Sequence, residues 1–552
     1  MPLPGVVPHP PEFAQRWRQK GYWRDRSLAD EFWEVFERFG DRIALVDEDG
    51  RTRTYSELGQ RASRLAANLY GLGLRRRDIV VLQLPNSIEF VETYFALQKL
   101  GAIPVAALVA HREREIGQFV EMTDAKAIFS PVETRSFSFV DMTERIADTN
   151  DSLRFGILLG EVPKGRGDIF VSLQRLLEEE PDPAWSAAVE DNRIDPDDPA
   201  VLQLSGGTTG IPKLIPRTHN DYSYNSRVAA SVCEIDSGHT LLLVLPMAHN
   251  FPLACPGLQG FLMAGGRVVI SSSTRPSDVF QLIEREEVTH IHAVPALIIS
   301  WINADESVSY DLSSVKVIQS GGQRLQPEVR TKAEALFENC TVQENFGMAE
   351  GLLMFVRLDD PEEVRLETCG RPASPDDEVK LIDEDGNEVS DGEVGEMICR
   401  GPYTLRGYFR AEDHNRRAFT PDGFYRSGDL MYKHPSGNYV VAGRRKDLIN
   451  RGGEKISAEE VENLILSHPK VVNVACIPVP DERLGERMCA CVVLKPGAEL
   501  QFDELCEFLM SYGLAKFKLP ERLEIFDELP LSNFGKVSKK ELVDRVVGAT
   551  TS

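Results

Sequence analysis

The sequence predicts an α/β protein with a large N-terminal domain of parallel-sheet subdomains, and three patterns support this prediction. Short apolar runs alternate with amphipathic helical stretches, the runs lying at residues 79–84, 104–109, 241–245, 267–270, 290–294 and 315–320. Such alternation indicates parallel sheets with crossover helices. Short alternating strands and turns predict a β-rich subdomain at about residues 372–443, and a later mixture of strands and helices predicts a small α+β C-terminal domain. We place the boundary at residues 443–448, which divides the chain into residues 1–444 and 445–552.

The composition excludes several classes of protein. The 552 residues are 42% hydrophobic and 27% charged, which is ordinary for a globular protein and excludes disordered and collagen-like chains. The 62 basic and 86 acidic residues give a net charge of −24. A chain this acidic lacks the basic surface that nucleic acids or anionic membranes attract. We therefore expect no nucleic-acid partner and no membrane partner.

The cysteines and the N-terminal segment indicate a cytoplasmic protein. The nine cysteines are scattered, odd in number and never spaced as CxxC, so neither a zinc site nor a disulfide framework is expected. The N-terminal segment lacks the charged-then-apolar layout of a signal peptide. No apolar run approaches the roughly 20 residues that span a bilayer.

The strongest local motif is a glycine-rich loop that follows the apolar run at residues 200–204. It reads Ser205-Gly206-Gly207-Thr208-Thr209-Gly210-Ile211-Pro212-Lys213. Glycines let backbone N–H groups approach an anion closely, and the hydroxyls and the ammonium group add further donors. The motif is no Walker A loop, because Leu214 follows the lysine. We interpret it as a phosphate-binding loop; the alternative is a plain Gly/Ser/Thr linker.

This loop and five further segments together resemble the motifs of the adenylate-forming superfamily. That superfamily includes acyl- and aryl-CoA ligases, luciferases and the adenylation domains of nonribosomal peptide synthesis. The segments are residues 320–323, 345–350, 425–430, 443–447 and 529–537, and they follow one another in the family's order. The resemblance covers about residues 40–545. It implies that ATP and Mg²⁺ are cofactors, and that a carboxylate attacks the α-phosphate of ATP to give acyl-AMP and pyrophosphate.

The resemblance also implies roles for single residues. Asp429 would hold both ribose hydroxyls and Arg444 would reach the ribose, while Glu350 would help to ligate Mg²⁺. The implied nucleotide-binding residues are Ser205, Gly206, Gly207, Thr208, Thr209, Gly210, Lys213, Gly321, Gly322, Gln323, Asn345, Phe346, Gly347, Asp429 and Arg444. Catalytic roles fall to Lys536, His249 and Glu350. Lys536 would offer its cation to the reacting oxygens; the alternative is a solvated lysine beside Lys539 and Lys540.

A second half-reaction is implied at the same site. The resemblance implies that the C-terminal domain is mobile and swings about the hinge residues Lys446 and Asp447. The swing would remove Lys536 and present Gly452, Gly453 and Lys455 to a thiol. Paired glycines suit a loop that a slim pantetheine arm passes over. The alternative for this segment is a plain β-turn.

The segment at residues 245–256 is similar to aryl-acid-activating enzymes of siderophore biosynthesis, which load 2,3-dihydroxybenzoate or salicylate. Here Asn250 would hydrogen-bond the ortho hydroxyl of the ring, and Phe251 and Gly322 would line the same pocket. His249 is expected to gate the carboxylate, or else to be a packed histidine. Cys255 and Leu353 favour salicylate, because leucine fills space that a 3-hydroxyl needs and a thiol bonds a phenol weakly. Burying that hydroxyl unpaired costs about 1–3 kcal/mol.

Three functional hypotheses remain open for the whole chain. In the first, an aryl-acid AMP ligase passes the aryl group to the phosphopantetheine thiol of a separate aryl carrier protein, since no carrier-like segment precedes Ser552. In the second, the acceptor is free coenzyme A. In the third, the chain is a non-catalytic ligand-binding relative, against which the presence of Lys536, Asp429, Arg444 and Glu350 argues.

Overall fold

Two sheets, each with parallel strands at its centre and antiparallel strands at an edge, form the middle of the large N-terminal part. The alternating apolar runs predict their parallel strands. The computed structural model describes residues 3–134, 137–205, 212–304, 307, 309–451, 454–481, 483–512, 514–531 and 537–548. No helix in these ranges is both long and apolar enough to span a membrane.

The helices are α1 (Pro11–Gln19), α2 (Leu28–Phe39), α3 (Tyr55–Leu72), α4 (Ile88–Leu100), α5 (Glu113–Thr123), α6 (Phe139–Ala147), α7 (Leu173–Glu178), α8 (Pro183–Glu190), α9 (His219–Val232), α10 (Asn250–Ala254), α11 (Gly257–Met263), α12 (Pro276–Glu286), α13 (Pro295–Ile302), α14 (Pro327–Leu336), α15 (Glu362–Glu367), α16 (Glu412–Ala418), α17 (Ala458–Leu466), α18 (Phe502–Ser511) and α19 (Lys539–Gly548). Short 3₁₀ turns lie at Arg445–Asp447 and Lys516–Lys518.

The strands are β1 (Ile43–Asp47), β2 (Thr52–Thr54), β3 (Ile79–Leu82), β4 (Ile103–Ala106), β5 (Ala127–Pro131), β6 (Glu133–Thr134), β7 (Phe137–Ser138), β8 (Phe155–Leu159), β9 (Phe170–Ser172), β10 (Pro199–Leu204), β11 (Leu214–Thr218), β12 (Thr240–Leu243), β13 (Arg267–Ile270), β14 (His290–Ala293), β15 (Val317–Ser320), β16 (Thr341–Gly347), β17 (Leu353–Phe355), β18 (Arg371–Pro372), β19 (Glu378–Ile382), β20 (Gly395–Arg400), β21 (Tyr425–Lys433), β22 (Tyr439–Arg444), β23 (Leu448–Arg451), β24 (Glu454–Ser457), β25 (Val471–Asp481), β26 (Gly485–Leu494) and β27 (Arg522–Phe526).

The strand pairing confirms the predicted α/β fold class. One sheet has nine strands in the order β18-β17-β16-β15-β14-β12-β13-β1-β2, and the other has seven in the order β11-β10-β4-β3-β5-β8-β9. In the first sheet, β1 and β12 to β16 pair in parallel, as β3, β4, β5, β8 and β9 do in the second. Strands such as β3 (IVVL) are apolar throughout because helices cover both faces of a parallel sheet.

Two smaller sheets follow along the chain. An antiparallel sheet of β19 to β22 forms the predicted β-rich part, and the last sheet has the order β24-β23-β26-β25 with β27 paired to β26. The predicted boundary at residues 443–448 falls on the 3₁₀ turn between β22 and β23. The division into two domains stays a prediction.

The carboxyl ends of the parallel strands position the site. Helices α9, α10 and α11 contribute to a large apolar cluster that contains Tyr222, Leu253 and Phe261. A second apolar cluster contains Ile291 of β14 and Ile318 of β15. Ligands in open α/β sheets bind beyond the carboxyl ends of the strands. The ends of β14, β15 and β16 therefore mark where a substrate should lie.

Gly370 generates a prediction about how the nine-stranded sheet meets the β-rich sheet. Its backbone pairs with Tyr439, its φ is +93°, and a Cβ there would overlap the backbone of Phe355. Gly386 is the matched control, because its φ is +88° and a Cβ there would have no neighbour within 4 Å. We expect Gly370→Ala to cost about 2–4 kcal/mol, against about 1 kcal/mol for Gly386→Ala. Equal losses in thermal unfolding midpoint would contradict this packing.

Candidate active site

The predicted phosphate loop connects β10 to β11, which pair in antiparallel fashion. Two hydrogen bonds close its base: the Ser205 N–H donates to the Lys213 carbonyl at 2.9 Å, and the Lys213 N–H donates to Ser205 Oγ at 2.9 Å. Residues 206–211 lie outside the described residues, so the predictions for Gly206, Gly207, Thr208, Thr209 and Gly210 stay predictions. The structure thus fixes the two ends of the loop.

Lys213 and Glu350 both lie near the side chain of Tyr408. The Tyr408 hydroxyl donates to Glu350 Oε1 at 2.7 Å and lies 2.9 Å from the Tyr425 hydroxyl. Lys213 Nζ lies 5.7 Å from the centroid of the Tyr408 ring. Burial, together with the neighbouring Glu350 carboxylate, raises the pKa of Tyr408, so this phenol keeps its proton. The lysine of the loop and the predicted magnesium ligand therefore lie in one neighbourhood.

The Glu350 carboxylate suits a magnesium ion that is held mainly by the phosphates of a bound nucleotide. Of the described residues, no group of three or more His, Cys, Asp or Glu side chains is placed to hold a metal ion. Mg²⁺ usually keeps several waters and takes one or two carboxylates together with substrate phosphates, rather than a cage of protein ligands. The half-buried Glu350 carboxylate, near the end of the phosphate loop, suits that mode.

Asp429 and Arg444 face each other across the pair β21–β22. Arg444 Nε lies 2.7 Å from Asp429 Oδ1, and the Asp429 carboxylate raises the pKa of Arg444. Asp429 is 2% exposed, and its Oδ2 atom is buried without a hydrogen-bond partner in the part of the chain that is described. A buried carboxylate oxygen without a donor is costly. The hydroxyls of a ribose would supply such donors.

The predicted adenine-binding segments also lie side by side. A Cβ on Gly321 would overlap Asn345 Oδ1, so the close approach of the two segments requires glycine. Gly322 has a φ of +88° and, like Gln323, is exposed. Asn345 Nδ2 and Ser320 Oγ are buried without partners among the described residues. These groups provide polar contacts for a ligand at the ends of β15 and β16.

The structure brings the buried side chains of Asn250 and Cys255 into contact at the predicted aryl pocket. Asn250 Nδ2 donates to Cys255 Sγ at 3.2 Å, and the Tyr222 hydroxyl donates to Asn250 Oδ1 at 2.8 Å. Both pocket residues are less than 5% exposed. Burial raises the pKa of Cys255 to about 11, so the sulfur is a neutral thiol. The side chains of Asn250 and Cys255 are therefore both polar and uncharged.

His249, Phe251 and Leu353 are three further residues of the predicted substrate site. His249 caps α10 by accepting the Phe251 N–H at 3.4 Å. The Phe251 ring stacks on His292 with centroids 4.6 Å apart, and burial lowers the pKa of His292 to about 3, which keeps that imidazole neutral. Leu353 belongs to the same apolar cluster as Cys255 and pairs with Gly347 of the adenine segment. The aryl pocket and the adenine segment are thus neighbours.

Sequence reasoning missed Arg217, whose guanidinium is fully buried. It donates to Asp221 Oδ1 at 2.9 Å, to Asn225 Oδ1 at 3.2 Å, and to the carbonyls of Ala349 at 3.0 Å and Tyr403 at 3.2 Å. An arginine that directly follows the apolar residues at the start of β11 and precedes the cap of α9 is a sequence signal that could have marked it.

The arginine joins the two halves of the site. Asn225 Nδ2 in turn donates to the Ala254 carbonyl at 2.7 Å and to Cys255 Sγ at 3.6 Å, which ties the guanidinium to the aryl pocket. Ala349 directly precedes Glu350, whose carbonyl accepts the Leu405 N–H at 2.8 Å. One buried cation therefore holds both the aryl pocket and the segment of the predicted magnesium ligand.

The C-terminal part packs against the strand that carries Arg444. Ser457 Oγ donates to the Ala442 carbonyl at 2.7 Å and caps α17. The hinge residues Lys446 and Asp447 form the 3₁₀ turn next to this contact, and Lys455 lies in β24. Gly452, Gly453 and Lys536 lie outside the described residues, so their roles stay predictions. Leu531 and Val537, which pair in a β-bridge, flank the segment of Lys536.

Comparison with known proteins identifies the family. The family described as AMP-binding enzyme matches residues 32–409, and the one described as AMP-binding enzyme C-terminal domain matches residues 460–536. A salicylyl-CoA synthase / salicylate adenylyltransferase from a Streptomyces species is 47% identical, with 99% of each chain covered. The 2,3-dihydroxybenzoate-AMP ligase of Bacillus subtilis is 44% identical, with 99% of this chain and 98% of the relative covered.

A solved structure gives the same result. The apo structure of Mycobacterium smegmatis MbtA is 40% identical, with 98% of this chain and 99% of that chain covered and a TM-score of 0.74. Family matches, relatives and fold agree along nearly the whole chain. The chain belongs to the AMP-binding enzyme family and, within it, to the adenylate-forming aryl-acid ligases.

Proposed function

We propose that this protein activates an ortho-hydroxy aromatic acid, salicylate in preference to 2,3-dihydroxybenzoate, as aryl-AMP with release of pyrophosphate. The observation that carries the proposal is the buried contact between Asn250 and Cys255, next to the nucleotide segments. An amide offers hydrogen bonds to a ring hydroxyl without adding a second charge beside the substrate carboxylate. The names of the Streptomyces and Bacillus relatives support the same class of acid.

The nucleotide would lie across the carboxyl ends of β15 and β16 and reach β21. The unpaired Oδ2 atom of Asp429 would accept hydrogen bonds from the ribose hydroxyls, while Arg444 holds the other oxygen of that carboxylate. Asn345, Phe346 and Gly347 would lie against the adenine opposite Gly321, Gly322 and Gln323. Ser205 and Lys213, at the base of the glycine-rich loop, would hold the phosphates.

In the first half-reaction, a carboxylate oxygen of the acid forms a bond to the α-phosphorus as the bond to pyrophosphate breaks. Little covalent work falls to the protein, so positioning and neutralisation of charge dominate. Lys536 would neutralise charge on the carboxylate and α-phosphate oxygens, and His249 would gate the approach of the carboxylate. Mg²⁺, when bound at Glu350, supplies charge neutralisation on the phosphates.

The preference for salicylate follows from the residues beside Asn250. Cys255 Sγ already accepts one N–H of Asn250, and a thiol is a weak partner for a phenol. Leu353 of β17 is 3% exposed, and its side chain would fill the space that a 3-hydroxyl needs. A 3-hydroxyl buried here without a partner costs about 1–3 kcal/mol, or roughly 5- to 150-fold in kcat/KM.

The second half-reaction would transfer the aryl group to a thiol. We take the phosphopantetheine of an aryl carrier protein as the first candidate, because the pocket segments are similar to those of siderophore enzymes. Free coenzyme A is the second candidate, since the Streptomyces relative is named a salicylyl-CoA synthase. For either thiol, rotation about Lys446 and Asp447 would bring Gly452, Gly453 and Lys455 to the site. Thioester assays with preformed aryl-AMP and each acceptor distinguish the two.

The direct test of the proposal is ATP–pyrophosphate exchange with a panel of benzoates. We expect salicylate to support the fastest exchange, 2,3-dihydroxybenzoate to follow and benzoate to be poor. Lack of exchange with every aryl acid would favour a non-catalytic ligand-binding relative instead.

Lys536→Ala tests the assignment of the catalytic cation. Removing one charge that stabilises the transition state should slow adenylation by about 10²–10³-fold, while the Kd of the aryl acid stays nearly unchanged. Lys540→Ala is the control, because Lys540 is exposed on α19. Equal exchange rates in Lys536→Ala and the parent protein would overturn the assignment.

The double substitution Cys255→Ser with Leu353→Val tests the pocket. A hydroxyl in place of the thiol and a smaller side chain in place of leucine should shift the ratio of kcat/KM toward 2,3-dihydroxybenzoate by about tenfold. Cys340→Ser, at a buried cysteine of the second apolar cluster, should leave the ratio unchanged. An unaltered ratio in the double variant would show that the ring lies elsewhere.

A further inference from the structure

A hydrogen-bonded relay reaches the aryl pocket from the strand that leads to the glycine-rich loop. Gln203 of β10 donates from Nε2 to the Tyr222 hydroxyl at 3.2 Å, and that hydroxyl donates to Asn250 Oδ1 at 2.8 Å. All three side chains are less than 5% exposed. A hydroxyl has a single proton to give. Because Gln203 occupies the hydroxyl as a donor, the proton of Tyr222 is directed to Asn250.

The relay determines whether the Asn250 amide directs its oxygen or its nitrogen toward the substrate. Its oxygen is taken by Tyr222, whereas its nitrogen lies 3.2 Å from Cys255 Sγ. The nitrogen carries two N–H groups, and the contacts within the described residues use one of them. Asn250 therefore presents an N–H donor to the pocket, not its carbonyl oxygen.

Tyr222 itself is firmly held. The Arg217 guanidinium lies 4.8 Å from the centroid of the Tyr222 ring, and Asp221 fixes that guanidinium at 2.9 Å. Asp221 also completes the capping box of α9 with Thr218, which anchors the turn from which Tyr222 projects. Burial raises the pKa of Tyr222 well above its usual range, so the phenol retains the proton that it donates.

We propose that Tyr222 is a positioning residue that sets the orientation of the Asn250 amide, so that the pocket reads the ortho substituent of the acid as a hydrogen-bond acceptor. This inference rests on the proposed function. The phenol proton of salicylate bonds internally to its own carboxylate, which leaves the phenol oxygen free to accept from Asn250 Nδ2. The ortho-amino group of anthranilate has nearly the same size but directs its second N–H at the Asn250 N–H. Two facing donors repel, so the relay selects ortho-hydroxy over ortho-amino acids.

Tyr222→Phe is the test, because it keeps the ring against Arg217 and removes only the hydroxyl. The freed amide can then turn its oxygen toward the substrate. We expect the ratio of kcat/KM for salicylate to that for anthranilate to fall at least tenfold, while benzoate, which has no ortho substituent, changes far less. If Tyr222 had only a structural role, the substitution would lower kcat/KM for all three acids by a similar factor.

The control and a second variant complete the experiment. Tyr224→Phe, two residues along α9, removes a hydroxyl that lies 2.8 Å from Ser374 Oγ and should keep the parental ratio. Gln203→Glu replaces the donor with an acceptor, draws the Tyr222 proton away from Asn250 and should lower the ratio as Tyr222→Phe does. If the parent protein prefers salicylate and both variants keep its ratio, the positioning role is wrong. If the parent adenylates no aryl acid, the proposed function itself fails, and this inference fails with it.

Discussion

A single buried cation, Arg217, holds the candidate site together. Its guanidinium is fully buried and donates to a carboxylate and an amide oxygen of α9 and to two backbone carbonyls, so that its acceptors come from three separate parts of the chain. A buried charge that loses its partners costs about 3–5 kcal/mol. The fold therefore cannot move the aryl pocket relative to the segment of Glu350 without breaking these contacts. The geometry on which adenylation depends is thereby built into the core.

The candidate nucleotide site differs from the surroundings of Arg217, because several of its buried polar atoms have no hydrogen-bond partner among the described residues. Asp429 Oδ2, Asn345 Nδ2 and Ser320 Oγ are buried without partners among the residues that the structure describes. Protein interiors rarely leave such atoms unpaired. They lie on β15, β16 and β21, and a bound ribose and base would supply the missing hydrogen bonds. A rigid aryl pocket beside an unsatisfied nucleotide site suits an enzyme that must bring two substrates into contact.

The periodicity of the sequence predicts much of the fold, whereas some residues of the candidate site could not be predicted from the sequence. The apolar runs predict β12 to β15 to within two residues at each end, because buried parallel strands are apolar throughout. The resemblance to the family predicts Asp429, Arg444 and Glu350, since each lies in a short segment that resembles one of the family's motifs. Arg217 and Tyr222 were missed as site residues because their roles arise from contacts between distant segments. The orientation of an amide such as Asn250 depends on its neighbours in space, which local pattern does not encode.

The central claim is that Arg217 fixes both halves of the site, and Arg217→Lys tests it most directly. Lysine keeps the charge but cannot reach four acceptors. Steady-state kinetics of pyrophosphate exchange should show the KM values for salicylate and for ATP rising together, each by about tenfold, with a lower kcat. The control is Arg227→Lys on α9: the Arg227 guanidinium donates to the Tyr22 carbonyl, and its substitution should change neither KM. A rise confined to one substrate, or no rise in either, would contradict the claim.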